Sequence, residues 1–177
     1  MLTHRKNDEG WLAKWMLAAL LAMTLQSAYA RADISESNAI DYLRVERSKA
    51  AIMVQQLKTE FLPGSPEYTI ARQKYAAAQQ AFNNYTTALV GNYAAGTRAD
   101  LSASAQLAYS KASEFEAYIS NLHFAHKGFT AVFVAAGVLI DIGDKLYTLY
   151  TKQKKEEREA RAKQLSLDLT WSDWDEI

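Results

Sequence analysis

Residues 68–89, YTIARQKYAAAQQAFNNYTTAL, decide the fold, because their apolar side chains recur at alternating spacings of three and four residues. That spacing predicts a long helix with one apolar seam. The seam residues are Tyr68, Ala71, Tyr75, Ala78, Phe82, Tyr85 and Leu89. The preceding run repeats the pattern and is interrupted only by a charged residue at its third position: Ile40, Leu43, Arg47, Ala50, Val54, Leu57 and Phe61.

The turn between the two runs, LPGSPEY at residues 62–68, contains the residue types that end one helix and begin the next. Gly64 suits the position just after a helix, Ser65 suits the N-cap, and Pro66 suits the first helical turn. Two seams on either side of a short turn predict an antiparallel coiled-coil hairpin. In that register Ala50 lies opposite Ala78, where the backbones would approach closely.

Arg47 lies opposite Phe82 in the same register. We expect the stem of its side chain to pack on the ring while the guanidinium stays in water. A buried polar switch or a contact with a partner is the alternative role for this arginine.

A third helix follows GNYAAGT at residues 91–97, with Thr97 or Asp100 as its cap. Its seam is Leu101, Ala105, Ala108, Ala112, Phe115, Ile119 and Leu122, continued by His126 and Phe129. The chain has no Cys, 2 Pro and 7 Gly, which indicates a helical protein held together by packing. The predicted fold class is therefore all-α, a coiled-coil hairpin extended to a three- or four-helix bundle.

The segment 129–150 has two interpretations. Its uninterrupted apolar part, residues 128–140, covers about 20 Å at 1.5 Å per residue, less than the roughly 30 Å of a bilayer core. We therefore favour a buried helix of the bundle. A membrane segment is the alternative, since six basic residues follow in TKQKKEEREARAK, residues 151–163. Under either interpretation the contact residues are Phe129, Val132, Phe133, Ala136, Leu139 and Ile140.

The first 30 residues have the order of a secretory signal peptide. Basic residues precede an apolar stretch from Trp15 to Leu25, and an Ala-x-Ala arrangement ends at Ala30. We predict cleavage after Ala30, with an uncleaved anchor as the alternative. The whole chain has 20 basic and 20 acidic residues. The chain therefore lacks the excess of basic residues that would indicate a nucleic-acid partner.

The C-terminal part is predicted as a charged helix, residues 152–164, followed by an extended acidic aromatic tail, residues 165–177. The tail has apolar residues on alternate positions, which is the period of a strand. Such a strand would either stay disordered or dock on a partner. If it docks, its removal after Gln164 should leave the melting temperature nearly unchanged and abolish the biological effect. The predicted partner-binding residues are Leu165, Leu167, Leu169, Trp171 and Trp174.

Residues suited to catalysis are few. His123 and His126 are three residues apart, so with Glu116 or Asp141 they make a metal site geometrically conceivable. A bundle metal site, however, takes a carboxylate and histidine pair from a second helix as well, and no second pair is present in the sequence. We therefore predict no metal, no cofactor and no enzyme, and keep a metal-binding bundle enzyme only as a remote alternative.

These patterns predict three segments before the tail: a signal peptide at 1–30, a helical hairpin or bundle domain at 31–151, and the charged helix. The expected function is that of an exported periplasmic protein that acts by protein–protein contact. It would be an accessory or assembly subunit of a bacterial envelope machine of the secretion or conjugation type, able to self-associate through the hairpin. The alternative is an immunity or exclusion protein anchored in the inner membrane through 129–150.

Overall fold

The computed structural model describes residues 36–122 and 133–177, and all of them belong to one compact unit. Five helices follow one another: α1, Glu36–Glu60; α2, Pro66–Ala95; α3, Ser102–Asn121; α4, Ala136–Tyr150; and α5, Lys155–Leu169. A short 3₁₀ turn, Trp174–Glu176, closes the chain. The described residues contain no strand, which confirms the all-α class for them. The signal peptide with its cleavage site, and the positions His123, His126, Phe129 and Val132, lie outside the described residues.

The turn between α1 and α2 is formed by the residues that the sequence indicated. Gly64 has a φ of 89°, in the left-handed region that glycine tolerates. The hydroxyl of Ser65 accepts the backbone N–H of Tyr68 at 3.2 Å, which caps α2, and Pro66 occupies its first turn. These contacts confirm the predicted helix boundary.

Helix α2 runs further than GNYAAGT suggested. Gly91 lies inside the helix, and Gly96 ends it with a φ of 68°. The N–H of Gly96 donates to the carbonyl of Tyr93 at 3.3 Å, and Thr97 N–H donates to the carbonyl of Asn92 at 3.1 Å. These bonds satisfy carbonyls that the end of a helix leaves without partners.

Most residues of both predicted seams are buried, but the backbones of α1 and α2 do not run close together along their length. The backbone of α2 lies mainly along α3 and α5, while α1 lies against α4 and α5 and hardly approaches α2. The predicted coiled-coil hairpin, with Ala50 against Ala78, is therefore not confirmed, although both alanines are buried. Two helices of equal period around a short turn always yield a consistent antiparallel register. The spacing within the two seams therefore could not identify which helices pack on each other.

The guanidinium of Arg47 does not stay in water as predicted but binds the end of α5. Its guanidinium donates to the carbonyl of Asp168 at 3.1 Å, to the carbonyl of Leu167 at 3.4 Å and to the hydroxyl of Ser172 at 3.4 Å. The first two are carbonyls at the end of α5, which has no further turn to satisfy them. Arg47 thus caps the C-terminal end of α5.

Helix α3 follows its predicted seam, with Ala105, Ala108, Ala112, Phe115 and Ile119 all buried. The Asp100 carboxylate accepts the backbone N–H of Ser102 at 2.8 Å at the start of the helix. This seam packs along α2. The predicted seam of α3 is confirmed for these five residues, whereas the N-cap position is Leu101 and not the predicted Thr97 or Asp100.

Helix α4 forms most of the described part of the segment 129–150, and it packs against α1, α2 and α3. Phe133 and Leu139 are buried, whereas Ala136 and Ile140 are half-buried. The hydroxyl of Tyr85 donates to the carbonyl of Leu139 at 2.6 Å, which ties the middle of α2 to α4. Within residues 36–122 and 133–177, no helix is both long and apolar enough to cross a membrane.

Candidate partner-binding site

The predicted partner-binding tail is not a strand. Helix α5 continues through Leu165, Leu167 and Leu169 and ends at Leu169. Leu165 and Leu169 are buried with Ala162 on one face, whereas Leu167 is 72% exposed. The spacing of three and four between the buried residues was present in the sequence, and the alternation of leucines concealed it. Extending an existing helix by one residue costs far less than starting a strand that has no sheet to join.

Trp171 is buried inside the chain, with 1% of its surface exposed. Its ring stacks on Phe82, with the centroids 4.6 Å apart, and on Tyr75 at 6.0 Å. Phe133, just before α4, approaches the same ring at 5.7 Å. The indole is thus enclosed by aromatic side chains from two parts of the chain. Its Nε1–H finds no acceptor among the described residues.

Trp174 occupies a second aromatic pocket three residues further on. Its Nε1–H donates to the hydroxyl of Tyr68 at 2.8 Å, and its ring meets that of Tyr68 edge-on at 5.3 Å. Tyr75 separates the two pockets and touches both indoles. Lys58 of α1 lies over the Trp174 ring, 5.7 Å from its centroid.

Polar side chains of α2 hold the backbone of the tail between these pockets. Asn83 accepts the Trp171 N–H at 2.8 Å, and both Asn83 and Gln79 donate to the Trp171 carbonyl at 3.2 Å. Tyr75 donates its hydroxyl to the Ser172 carbonyl at 2.7 Å. The carbonyl of Trp174 accepts Lys58 Nζ at 2.5 Å. The backbone of the tail is therefore held by side chains along its length.

Charged groups surround this site. Arg72 pairs with Asp175 at 2.5 Å, and Arg44 pairs with Asp168 at 2.7 Å. The hydrogen bond from Arg44 holds the pKa of the Asp168 carboxyl below its usual value. Burial raises the pKa of the Tyr75 hydroxyl, so it stays a neutral donor. We call the surface that receives residues 171–176 the tail groove, formed by Lys58 of α1 and by Tyr68, Arg72, Tyr75, Gln79, Phe82 and Asn83 of α2.

The tail groove holds residues 171–176 of the same chain through aromatic stacking and through hydrogen bonds to their backbone. Four of the five predicted partner-binding residues, Leu165, Leu169, Trp171 and Trp174, have their side chains engaged within their own chain. Leu167 alone of that set offers a free apolar surface. The sequence did contain the signal for the groove, since α2 carries polar or hydroxyl groups at positions 68, 72, 75, 79 and 83, on one helical stripe.

A second polar cluster was missed by the sequence analysis. Glu46 of α1 is 1% exposed, and its carboxylate accepts the Val134 N–H at 2.8 Å and Lys49 Nζ at 2.7 Å. Glu116 of α3 accepts the N–H of Phe133. Burial raises the pKa of both carboxyl groups, and the charge of Glu46 raises that of Glu116 further. These carboxylates anchor the start of α4.

The remote metal hypothesis depends on His123 and His126, which lie outside the described residues. Within residues 36–122 and 133–177, no three histidine, aspartate or glutamate side chains are grouped so that they could hold a metal ion. No family model, curated protein or solved structure matched this chain.

Proposed function

We propose that this chain is a non-enzymatic exported protein that works by contact with other proteins. It would serve as an accessory or assembly subunit of a bacterial cell-envelope machine of the secretion or conjugation type. The proposal that the chain is exported rests on the signal-peptide pattern of residues 1–30. The proposal that it contacts other proteins rests on the exposed surface of α1.

The observation that carries the contact function is an apolar stripe on the outer side of α1. Val45 and Ile52 are 50% and 41% exposed and lie seven residues, or two helical turns, apart. Tyr42 lies on the same stripe and is half-buried, and the half-buried Lys49 beside it pairs with Glu46. A stripe with this spacing is the surface that a second amphipathic helix covers.

The use of the buried polar groups also supports a contact function. Glu46 accepts a backbone N–H of Val134, and the hydroxyls of Tyr75 and Tyr85 donate to backbone carbonyls. Each of these groups joins one element of the fold to another. These polar groups hold the helices in place, which suits a protein that acts through contacts of its surface.

The α1 stripe can be tested with the double variant Val45→Glu/Ile52→Glu. We expect it to keep its melting temperature and to lose the proteins that co-purify with the wild type from envelope extracts, because a buried carboxylate in an interface is costly. Leu107→Glu is the matched control, since Leu107 is equally exposed, at 50%, but lies on α3. If the control loses the same proteins, or the double variant loses none, α1 is not the contact surface.

Localisation requires separate measurements. Release of the mature chain by osmotic shock, with an N-terminus at Arg31, would support a periplasmic protein cleaved after Ala30. An N-terminus at Met1, with pelleting that resists carbonate, would contradict it.

A further inference from the structure

We propose that the carboxylates of Glu46 and Glu116 form a pH-sensitive latch on the start of α4. The latch is closed while the pair retains a proton, and it loosens when both carboxylates are charged. Its opening reaches the ring of Trp171 through Phe133. The inference does not depend on the proposed contact function, since it concerns groups inside the fold and not the exposed stripe of α1.

The geometry of the latch is the convergence of two carboxylates on adjacent backbone groups. Glu46 of α1 accepts the N–H of Val134 at 2.8 Å, and Glu116 of α3 accepts the N–H of Phe133. Both N–H groups precede α4, which begins at Ala136 and has no side-chain cap of its own. Two other helices thus hold the start of α4 through acidic side chains.

The two carboxylates are poorly placed to be charged at the same time. Glu46 is 1% exposed, so its charged form loses almost all contact with water. Glu116 is half-buried, and the charge of Glu46 acts on it unfavourably. Among the described residues, the charged group that faces the pair is Lys49, which binds Glu46 at 2.7 Å. One cation therefore faces two acidic groups.

Two effects of opposite sign determine the protonation of the pair. The N-terminus of α4 and the hydrogen bonds from residues 133 and 134 favour the charged forms. Burial favours the neutral forms and is the larger effect, since it raises the pKa of both Glu46 and Glu116. The closed latch therefore retains protons that an open latch would release. Raising the pH favours the open form.

The opening is confined to the start of α4, because that is the part whose release costs least. Residues 133–135 belong to no helix, so releasing them breaks few backbone hydrogen bonds. Their release also gives both carboxylates access to water. The rest of α4 stays in place, held for example by the hydroxyl of Tyr85, which donates to the Leu139 carbonyl at 2.6 Å.

Phe133 connects the latch to the C-terminal tail. Its side chain is 3% exposed, and the centroid of its ring lies 5.7 Å from that of Trp171. When the latch opens, Trp171 loses this neighbour and keeps the rings of Phe82 and Tyr75. The indole N–H of Trp171 therefore provides a signal at the far end of the connection.

Hydrogen exchange followed by NMR on the full chain tests the latch. The quantity measured is the protection of the Phe133 and Val134 N–H groups, corrected for the intrinsic pH dependence of exchange. The N–H of Ala105, which donates to the Leu101 carbonyl at 2.8 Å in the first turn of α3, is the internal reference. The indole N–H resonance of Trp171 is recorded in the same samples.

Two variants remove the titration and keep the shape of the side chain, Glu46→Gln and Glu116→Gln. The matched control is Glu114→Gln, because Glu114 lies on the same helix as Glu116 but is exposed and pairs with Lys111 at 2.7 Å. If Glu46→Gln does not fold, Glu116→Gln decides the outcome alone, since Glu116 is only half-buried.

In the wild type we expect the protection of Phe133 and Val134 to fall by about tenfold between pH 5 and 8, because an opening that releases one proton is favoured tenfold by each pH unit. The protection of Ala105 should stay constant, and Glu114→Gln should behave like the wild type. Each of the other two variants should lose most of the pH dependence. The Trp171 resonance should shift with the same midpoint as the two amides.

Four results would overturn the proposal. The first is protection of Phe133 and Val134 that does not change with pH in the wild type. The second is a pH dependence that Glu116→Gln retains in full. The third is a loss of protection at Ala105 together with the two amides, which would show unfolding of the whole bundle. The fourth is a Trp171 resonance that stays constant while the two amides change.

Discussion

Replacing Trp171 by alanine tests whether the C-terminal tail is part of the folded core. The indole is 1% exposed and stacks on the ring of Phe82 at 4.6 Å. Truncating a buried tryptophan to alanine costs about 3–5 kcal/mol. The unpaired Nε1–H is lost at the same time, and relief of such a group is worth about 1–3 kcal/mol. We therefore expect the free energy of unfolding to fall by about 3 kcal/mol, the lower end of the range for truncating a buried tryptophan.

The backbone bonds of residue 171 to Gln79 and Asn83 remain in this variant, so the measurement isolates the ring. Urea unfolding followed by circular dichroism measures the change in the free energy of unfolding. In a chain of this size each kcal/mol lowers the melting temperature by about 2–4 °C, so a fall of about 6–12 °C should accompany it. Trp171→Phe should lose less, because it retains most of the stacking and removes the unpaired N–H.

Leu167→Ala is the matched control. Leu167 belongs to the same alternating leucine pattern but is 72% exposed, and such surface changes stay within about 0.5 kcal/mol. An extended tail outside the bundle makes the opposite prediction, since removal of Trp171 would then leave the stability unchanged. Equal effects of Trp171→Ala and Leu167→Ala would refute the docked tail and the groove with it.

Three further predictions concern the helices. Ala78→Leu should destabilise the chain by about 1–3 kcal/mol through overpacking, and an unchanged melting temperature would contradict the burial of Ala78. Gly96→Ala should cost about 1–2 kcal/mol because of its φ of 68°, whereas Gly91→Ala in the helix interior should stabilise by about 0.5–1 kcal/mol; urea unfolding of both variants checks the opposite signs. Because burial raises the pKa of Glu46 and Glu116, the folded chain retains protons that the unfolded chain releases, so stability should fall as the pH rises from about 5 through the raised pKa values. Glu46→Gln should reduce this slope in unfolding curves recorded between pH 5 and 8, and a slope equal to that of the wild type would contradict the assignment.

The helices themselves could be predicted from the sequence because their signals are local. Ser65 and Pro66 start α2 where predicted, and the seams of α2 and α3 are buried as the spacing indicated. The end of α2 was misplaced by a few residues. Gly91 and Gly96 have the same side chain, and only the backbone conformation distinguishes a tolerated interior glycine from one that ends a helix.

The tail shows why its docking into the groove could not be predicted, although the polar stripe of α2 is present in the sequence. Its pattern at Leu165, Leu167 and Leu169 agrees with a strand and, at two of the three positions, with a helix. The choice depends on whether a matching surface exists elsewhere in the chain. That surface is on α2, about 90 to 100 residues earlier, in contacts such as Asn83 with Trp171. No local rule covers so large a separation.

The sequence by itself determined the helical class, the start of α2 and the apolar faces of α1, α2 and α3, because capping and periodicity act over a few residues. Only the tertiary structure decided that α2 packs on α3 and α5, that α1 packs on α4 and α5, and that the two tryptophans lie inside the chain. Seams of equal period are interchangeable as pairs. Their pairing is selected by the apolar surface that the whole chain can bury at once, a quantity that exists only in the assembled bundle.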